Sequence, residues 1–195
     1  MLVRHGQSEW NAIGRWQGWA DPPLSSLGRD QARLAVAQLG SVDVVVSSDL
    51  RRAVETAAIL AAGVELGPPG VIRSLRERDV GAWTGLTRAE IERRWPGALS
   101  GPMPEPPGGE TAAALVERAL SAVGELAESH PGRRVLAVSH GGLIRALERH
   151  LGVEPDPLPN LGGVDLSIDG GHMTMGPRRL LIDPHEALVT VPRSL

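Results

Sequence analysis

The chain has 195 residues, with 20 basic and 23 acidic side chains and a formal net charge of −3. That size suits a single domain, residues 1–195, able to bury a real core. Every one of the 20 basic residues is arginine, and cysteine, tyrosine and phenylalanine are absent. This composition excludes a P-loop lysine, a Schiff-base or general-base lysine, disulfides, thiolate zinc sites and a cysteine-based phosphatase nucleophile. The slight acidity argues against a nucleic-acid partner. No apolar run approaches the roughly 18 residues needed to cross a bilayer, so no membrane association and a cytoplasmic location are expected.

Met1-Leu2-Val3-Arg4 reads as a short buried strand, and residues 5–24, with their Gly, Asn, Trp and Pro, as a long functional loop. Ser25 or Ser26 can cap a helix that runs to Leu39, with Gly40 as its left-handed stop. The β-branched run from Val42 to Ser47 predicts a buried strand, with Ser48-Asp49 at the N-cap of an alanine-rich helix from Leu50 to Ala62. A third strand is expected at Val71-Ile72-Arg73. Thr87 and Glu90 form a capping box for a helix that stops before Pro96. The Pro- and Gly-rich stretch 96–109 reads as an ordered surface loop, and Thr111 caps a long helix to about Ser129. Val135 to Ser139 is a fourth strand, followed by His140-Gly141-Gly142 and a helix to Leu151. Residues 164–182 read as short strands with turns at Asp169-Gly170-Gly171 and Gly176-Pro177. Strands alternating with helices predict an α/β three-layer sandwich: a mostly parallel central sheet, helices on both faces, and an antiparallel edge.

Ligands of parallel α/β sheets bind beyond the carboxyl ends of the strands. The first strand ends in Arg4-His5, the second leads to Arg51 and Arg52, the third to Arg76, Glu77, Arg78 and Asp79, and the fourth to His140. One crevice therefore collects two imidazoles, at least two guanidiniums and a carboxylate. Two histidines and a carboxylate would suit a divalent metal, but permanently charged arginines repel a cation, and their forked donors suit a tetrahedral anion. Helix starts near Leu50 and Gly141 would add backbone donors. The pocket reads as a phosphate site containing histidine, and with no Cys or Lys, histidine is the strongest nucleophile the chain offers. Glu77 is the best-placed carboxyl to protonate a leaving alkoxide; Asp79 and Glu110 are the alternatives.

The run from Leu2 to Asn11 (LVRHGQSEWN) resembles the signature of the histidine phosphatase superfamily, the phosphoglycerate-mutase-like enzymes. Residues 16–25 (WQGWADPPLS), 47–57 (SSDLRRAVETA), 75–85 (LRERDVGAWTG), 108–111 (GGET) and 138–142 (VSHGG) resemble that family's later motifs in the same order, over roughly residues 1–152. The resemblance implies that His5 becomes a phosphohistidine, that Arg4, Arg52 and His140 clamp the phosphoryl oxygens, and that Glu77 is the proton donor. It implies substrate contacts from Asn11, Gln17, Ser8 and the Gly141 backbone N–H, leaves Arg51 as a solvated charge, and requires neither cofactor nor metal. The chain departs from the family at Ser25, where threonine is usual, and at Asp183-Pro184-His185, which fits the family's later turn only loosely.

The mutase branch carries an insert with a lysine and further arginines after the acid motif. Here the segment between Gly85 and Gly108 is short, lacks lysine, and holds only Arg88, Arg93 and Arg94, which read as the solvated face of a helix. The resemblance therefore implies hydrolysis of a small-molecule phosphomonoester. Phosphoglycerate mutase activity and an inactive phosphate-binding scaffold are the alternatives, and the sequence leaves the oligomeric state open, a homodimer being possible. Trp10, Trp16, Trp19 and Trp83 fall where a leaving group would lie, or where a core lacking Phe and Tyr would need filling.

Overall fold

The computed structural model describes residues 1–101 and 103–182. Along the chain run β1 (Leu2–Arg4), α1 (Glu9–Ala12), α2 (Ser26–Ala35), β2 (Val44–Ser47), α3 (Arg51–Gly63), β3 (Gly70–Val71), α4 (Arg88–Arg94), α5 (Ala112–Ser129), β4 (Val135–Ser139), α6 (Gly141–His150), β5 (Gly162–Asp169) and β6 (His172–Leu180). The strands form one sheet in the order β3-β2-β4-β1-β5-β6. The first four in that order are mutually parallel, and β5 and β6 are antiparallel additions.

Strand side chains alternate between two apolar layers, as the two-residue period of a pleated strand requires. Leu2, Val46 and Ala137 face one layer with Leu115, Ala119 and Leu126 of α5 and Leu143, Ile144 and Leu147 of α6. Val3, Val45, Leu136 and Val138 face the other, with Ala35 of α2 and Ala53, Ala57 and Leu60 of α3. The architecture is the three-layer α/β sandwich. A satellite cluster of Trp16, Val80, Trp83, Ile91 and Leu99 stands apart from the sheet, with Trp16 and Trp83 edge to face at 5.4 Å between ring centroids. Trp16 and Trp83 thus fill space that Phe or Tyr would otherwise occupy.

Several boundaries differ from expectation for physical reasons. The predicted cap of α3 at Ser48-Asp49 is not used: Leu50 is the N-cap, without a side-chain cap bond. Ser48 is engaged with His140, and both carboxylate oxygens of Asp49 are held by Arg76 at 2.6 Å. The third strand is shorter and earlier than Val71-Ile72-Arg73, because residues 73–75 wind into a 3-10 turn. Only one of the two expected carboxyl-terminal turns exists. The chain reverses at Gly170-Gly171, both at positive φ, while Gly176-Pro177 lies inside β6. There the proline is tolerated because β6 is an edge strand, and the pairing slips between Val164 and Leu166. The long loop 5–24 contains α1, with Ser8 and Asn11 forming a reciprocal capping box. Asp183-Pro184-His185 lies outside the described residues.

Parallel register aligns the strand ends that carry the site. Arg4 of β1 sits opposite Ser139 of β4, so the residues that follow, His5 and His140, emerge side by side. Their rings lie 5.1 Å apart at 62°.

Candidate active site

His5 is fixed by its backbone and its ring. Its N–H donates to Ser139 O at 3.0 Å, and its carbonyl accepts from Asn160 Nδ2 at 2.9 Å. Nδ1 lies 2.6 Å from the Gly6 carbonyl oxygen, which can only accept. Nδ1 therefore carries the ring proton and Nε2 the lone pair. Burial, with the Arg52 and Arg4 guanidiniums beside it, holds His5 well below the usual imidazole range. The ring is therefore neutral at neutral pH, with a free lone pair on Nε2.

Arg52, in the first turn of α3, is 1% exposed. It donates from Nε to His5 Nε2 at 3.2 Å and from its terminal nitrogens to Ala20 O at 2.8 Å and Gly18 O at 2.9 Å. One guanidinium therefore joins His5 to the loop that carries Gly18 and Ala20. Arg4 donates to Leu158 O and lines the same pocket. Burial lowers Arg4 and Arg52 to about 10, which leaves both charged at neutral pH. His140 is fully buried beneath them, with Nε2 2.6 Å from the Ser48 hydroxyl and Nδ1 without a hydrogen-bond partner among the described residues. Burial and the nearby arginines push it well below the ordinary imidazole range.

Glu77 occupies the amino terminus of α6. Its oxygens accept from Gly142 N at 3.0 Å, Leu143 N at 3.1 Å and its neighbour Arg78 N at 2.8 Å. These backbone donors, two of them at the start of α6, hold the carboxyl in place. A Cβ on Gly142 would lie 2.4 Å from Glu77 Oε1, so glycine is what admits the carboxyl. The backbone carrying Glu77 is clamped by Arg118, which donates to the carbonyls of Ser74, Arg76 and Glu77 at 2.8, 2.9 and 3.2 Å. Arg118 is itself anchored on Glu110, with two contacts of 2.8 Å. Glu110 is thus occupied, and an Asp79 oxygen accepts from Gly81 N at 2.9 Å. Of the three candidate acids, Glu77 is the one that lines the pocket.

Arg4, His5, Asn11, Gln17, Arg52, Glu77 and Gly141 line one pocket, joined by Arg15, Trp16, Gly18, Gly142, Arg145, Pro157 and Leu158. Ser8 stands behind it: its hydroxyl accepts from Asn11 N at 3.1 Å and donates to Gln17 Oε1 at 2.8 Å, so it orients two lining residues. His140 likewise supports the pocket from below. Arg51, Arg88, Arg93 and Arg94 are exposed, as expected of solvated charges. Trp19 is 38% exposed, donates to Glu77 O at 2.8 Å and lies beneath the Arg73 and Arg76 guanidiniums. Sequence reasoning missed Arg15 and Arg145. The signal for Arg145 was its i, i+4 spacing from Gly141 on the helix that begins at the site.

Residues 1–169 match the histidine phosphatase superfamily (branch 1). A glucosyl-3-phosphoglycerate phosphatase of Mycolicibacterium vanbaalenii is 40% identical over 179 residues, spanning 84% of this chain and 79% of that protein. A 2,3-bisphosphoglycerate-dependent phosphoglycerate mutase of Methylorubrum populi is 40% identical over 165 residues, 75% of this chain and 76% of the mutase. The solved structure of a mycobacterial glucosyl-3-phosphoglycerate phosphatase with VO3 superposes with a TM-score of 0.79 at 35% identity, covering 90% of this chain and 94% of that one.

Proposed function

The chain belongs to the histidine phosphatase superfamily, and from that premise we propose how its residues divide the work of hydrolysis. It is a hydrolase of the histidine phosphatase type, acting on a small phosphorylated metabolite. The Nε2 lone pair of His5 attacks phosphorus, in line with the leaving oxygen. Arg4 and Arg52 hold the non-bridging oxygens and stabilise the charge that spreads over them. The unpartnered Nδ1 of His140, Asn11 and the Gly141 N–H supply further hydrogen bonds.

As the P–O bond breaks, the Glu77 carboxyl gives its proton to the departing alkoxide. This leaves a phosphohistidine and a Glu77 carboxylate. Water then attacks phosphorus, its proton passes to Glu77, the N–P bond breaks, and His5 recovers its lone pair. Phosphate leaves with the enzyme restored. Gln17, fastened by Ser8, orients the loop over the phosphoryl group.

The observation that carries this reading is the neutral His5 ring, whose Nε2 faces the Arg52 guanidinium in a pocket lined by Arg4 and Glu77. A single domain performs the chemistry, and the cytoplasm is its proposed compartment. Among the described residues, no helix is long and apolar enough to cross a membrane. The phosphoglycerate skeleton in the names of the relatives makes a phosphorylated glycerate derivative the substrate to try first. Hydrolysis is favoured over mutase turnover by the short, lysine-free segment between Gly85 and Gly108. The test measures phosphate release from 3-phosphoglycerate and an aryl phosphate beside mutase turnover. Release of phosphate with little isomerisation supports the phosphatase; rapid isomerisation with negligible release refutes it.

A further inference from the structure

Trp19 takes neither of the two places that the sequence leaves open to its tryptophans. It is 38% exposed and, among the described residues, belongs to none of the three apolar clusters, so it is not core filling. It is also not one of the residues that line the pocket, so it is not a leaving-group contact. Its two neighbours in the chain are gripped instead. Arg52 donates to Gly18 O at 2.9 Å and to Ala20 O at 2.8 Å while its Nε reaches His5 Nε2.

The indole Nε1 donates to the Glu77 carbonyl at 2.8 Å. That carbonyl belongs to the planar peptide unit between Glu77 and Arg78. The other end of the same unit, Arg78 N, donates to Glu77 Oε1 at 2.8 Å. A bond accepted at the oxygen polarises an amide and strengthens the bond that its N–H makes. A line of hydrogen bonds thus runs from Trp19 through one rigid peptide to the carboxyl of the proton donor. The ring itself is held. The Arg76 guanidinium lies over it at 5.2 Å from the centroid and that of Arg73 at 5.9 Å. Arg76 is fixed in turn by two 2.6 Å contacts with Asp49, just before α3.

We propose that Trp19 is a positioning residue for the proton donor, coupling the loop gripped by Arg52 to the Glu77 carboxyl through the peptide that joins Glu77 to Arg78. Residues 18–20 bridge the two halves of the reaction: Arg52 ties them to His5, and the indole ties them to the acid. The bridge sets the carboxyl relative to the attacking nitrogen, and proton delivery during P–O cleavage depends steeply on such placement. The proposal rests on the reading of Glu77 as the acid.

The slope of log kcat/KM against leaving-group pKa, over a series of aryl and alkyl phosphates, tests it. This constant contains only the steps through release of the alcohol, where the acid acts. Trp19→Phe keeps a ring beneath the arginines and removes the N–H. It is expected to lower kcat/KM about tenfold for alkyl phosphates, the size of one neutral hydrogen bond, and less than about twofold for aryl phosphates with good leaving groups. Trp19→His presents an Nε2–H at the ring position of the indole N–H. At about pH 8, where imidazole is neutral, it should return the alkyl phosphates to within about threefold of wild type. Equal losses across the series in Trp19→Phe, or no loss, overturn the proposal. So does a slope in Trp19→His as steep as that in Trp19→Phe. Urea midpoints of both variants should stay near that of the wild type, since the site of substitution lies outside the apolar clusters. Glu77→Gln on the same series separates the two levels of failure. A flat response there removes Glu77 as the acid, whereas a steep one beside a flat Trp19→Phe removes Trp19 alone.

Discussion

Arg52 Nε donates to His5 Nε2 across 3.2 Å, while the same guanidinium holds the carbonyls of Gly18 and Ala20. The residue proposed to meet the transferred phosphoryl group thus already orients the His5 ring and ties down the loop above it. A lysine cannot reproduce three donors in a planar fork. Arg52→Lys is expected to lower kcat/KM for an aryl phosphate by about 100- to 1000-fold, the usual scale for losing an oxyanion-stabilising donor. A loss below tenfold would remove Arg52 from the clamp.

Glu77 and Gly142 form a second coupled pair. Glu77→Gln keeps the shape of the side chain and removes its proton, so alkyl phosphates should lose about 100- to 10,000-fold in kcat while aryl phosphates with good leaving groups lose far less. Gly142→Ala places a methyl group 2.4 Å from Glu77 Oε1 and must displace the carboxyl. It should show the same dependence on leaving group. Measuring rate against leaving-group pKa checks both; equal losses across the series would take the acid role away from Glu77.

Ser48→Ala removes the 2.6 Å contact to His140 Nε2 and leaves both ring nitrogens of a fully buried imidazole unpartnered in the free protein. Stability should fall by about 1–3 kcal/mol, the cost of orphaning a buried polar group. Urea unfolding at pH 7.5 measures it, and an unchanged midpoint would contradict the account of this layer.

The buried imidazoles also set a pH dependence of stability. Both His5 and His140 are depressed well below the ordinary value of 6.5, so the folded state stays unprotonated where the unfolded chain takes up protons. Their contribution is complete above pH 6.5 and is lost as pH falls from there toward the folded values. The slope reaches up to about 2.7 kcal/mol per pH unit when two protons are involved. Urea midpoints between pH 7.5 and 5 should fall in that window, and a flat profile would show that the rings are not buried neutral.

Much of the sheet and most of the site were legible because the strands are β-branched runs whose ends carry the chemistry. Arg4-His5 and Ser139-His140 could be placed together from the strand pattern alone, since parallel strands deliver their ends to one edge. The misplaced features have specific causes. Asp49 and Ser48 carry the chemistry of a helix cap, but Arg76 and His140 recruit them, which local sequence does not show. Gly176-Pro177 has turn composition, yet an edge strand with an irregular register accommodates it. The cap of α1 uses Asn11 where glutamate or glutamine is the usual signal, so the helix was hidden in a loop. Arg145 escaped notice because it stands among the apolar residues Leu143, Ile144, Ala146 and Leu147, so that only its i, i+4 spacing from Gly141 points to the pocket.

Trapping the covalent intermediate tests the central claim most directly. The protein is mixed with phosphate-labelled substrate, quenched within the first turnovers and digested, and the label is located. The account predicts an acid-labile, base-stable phosphoryl group on His5 that decays at the rate of phosphate release and is absent in His5→Ala, which should retain less than about one ten-thousandth of the activity. Steady turnover with no label on His5, or with the label on another residue, would contradict it.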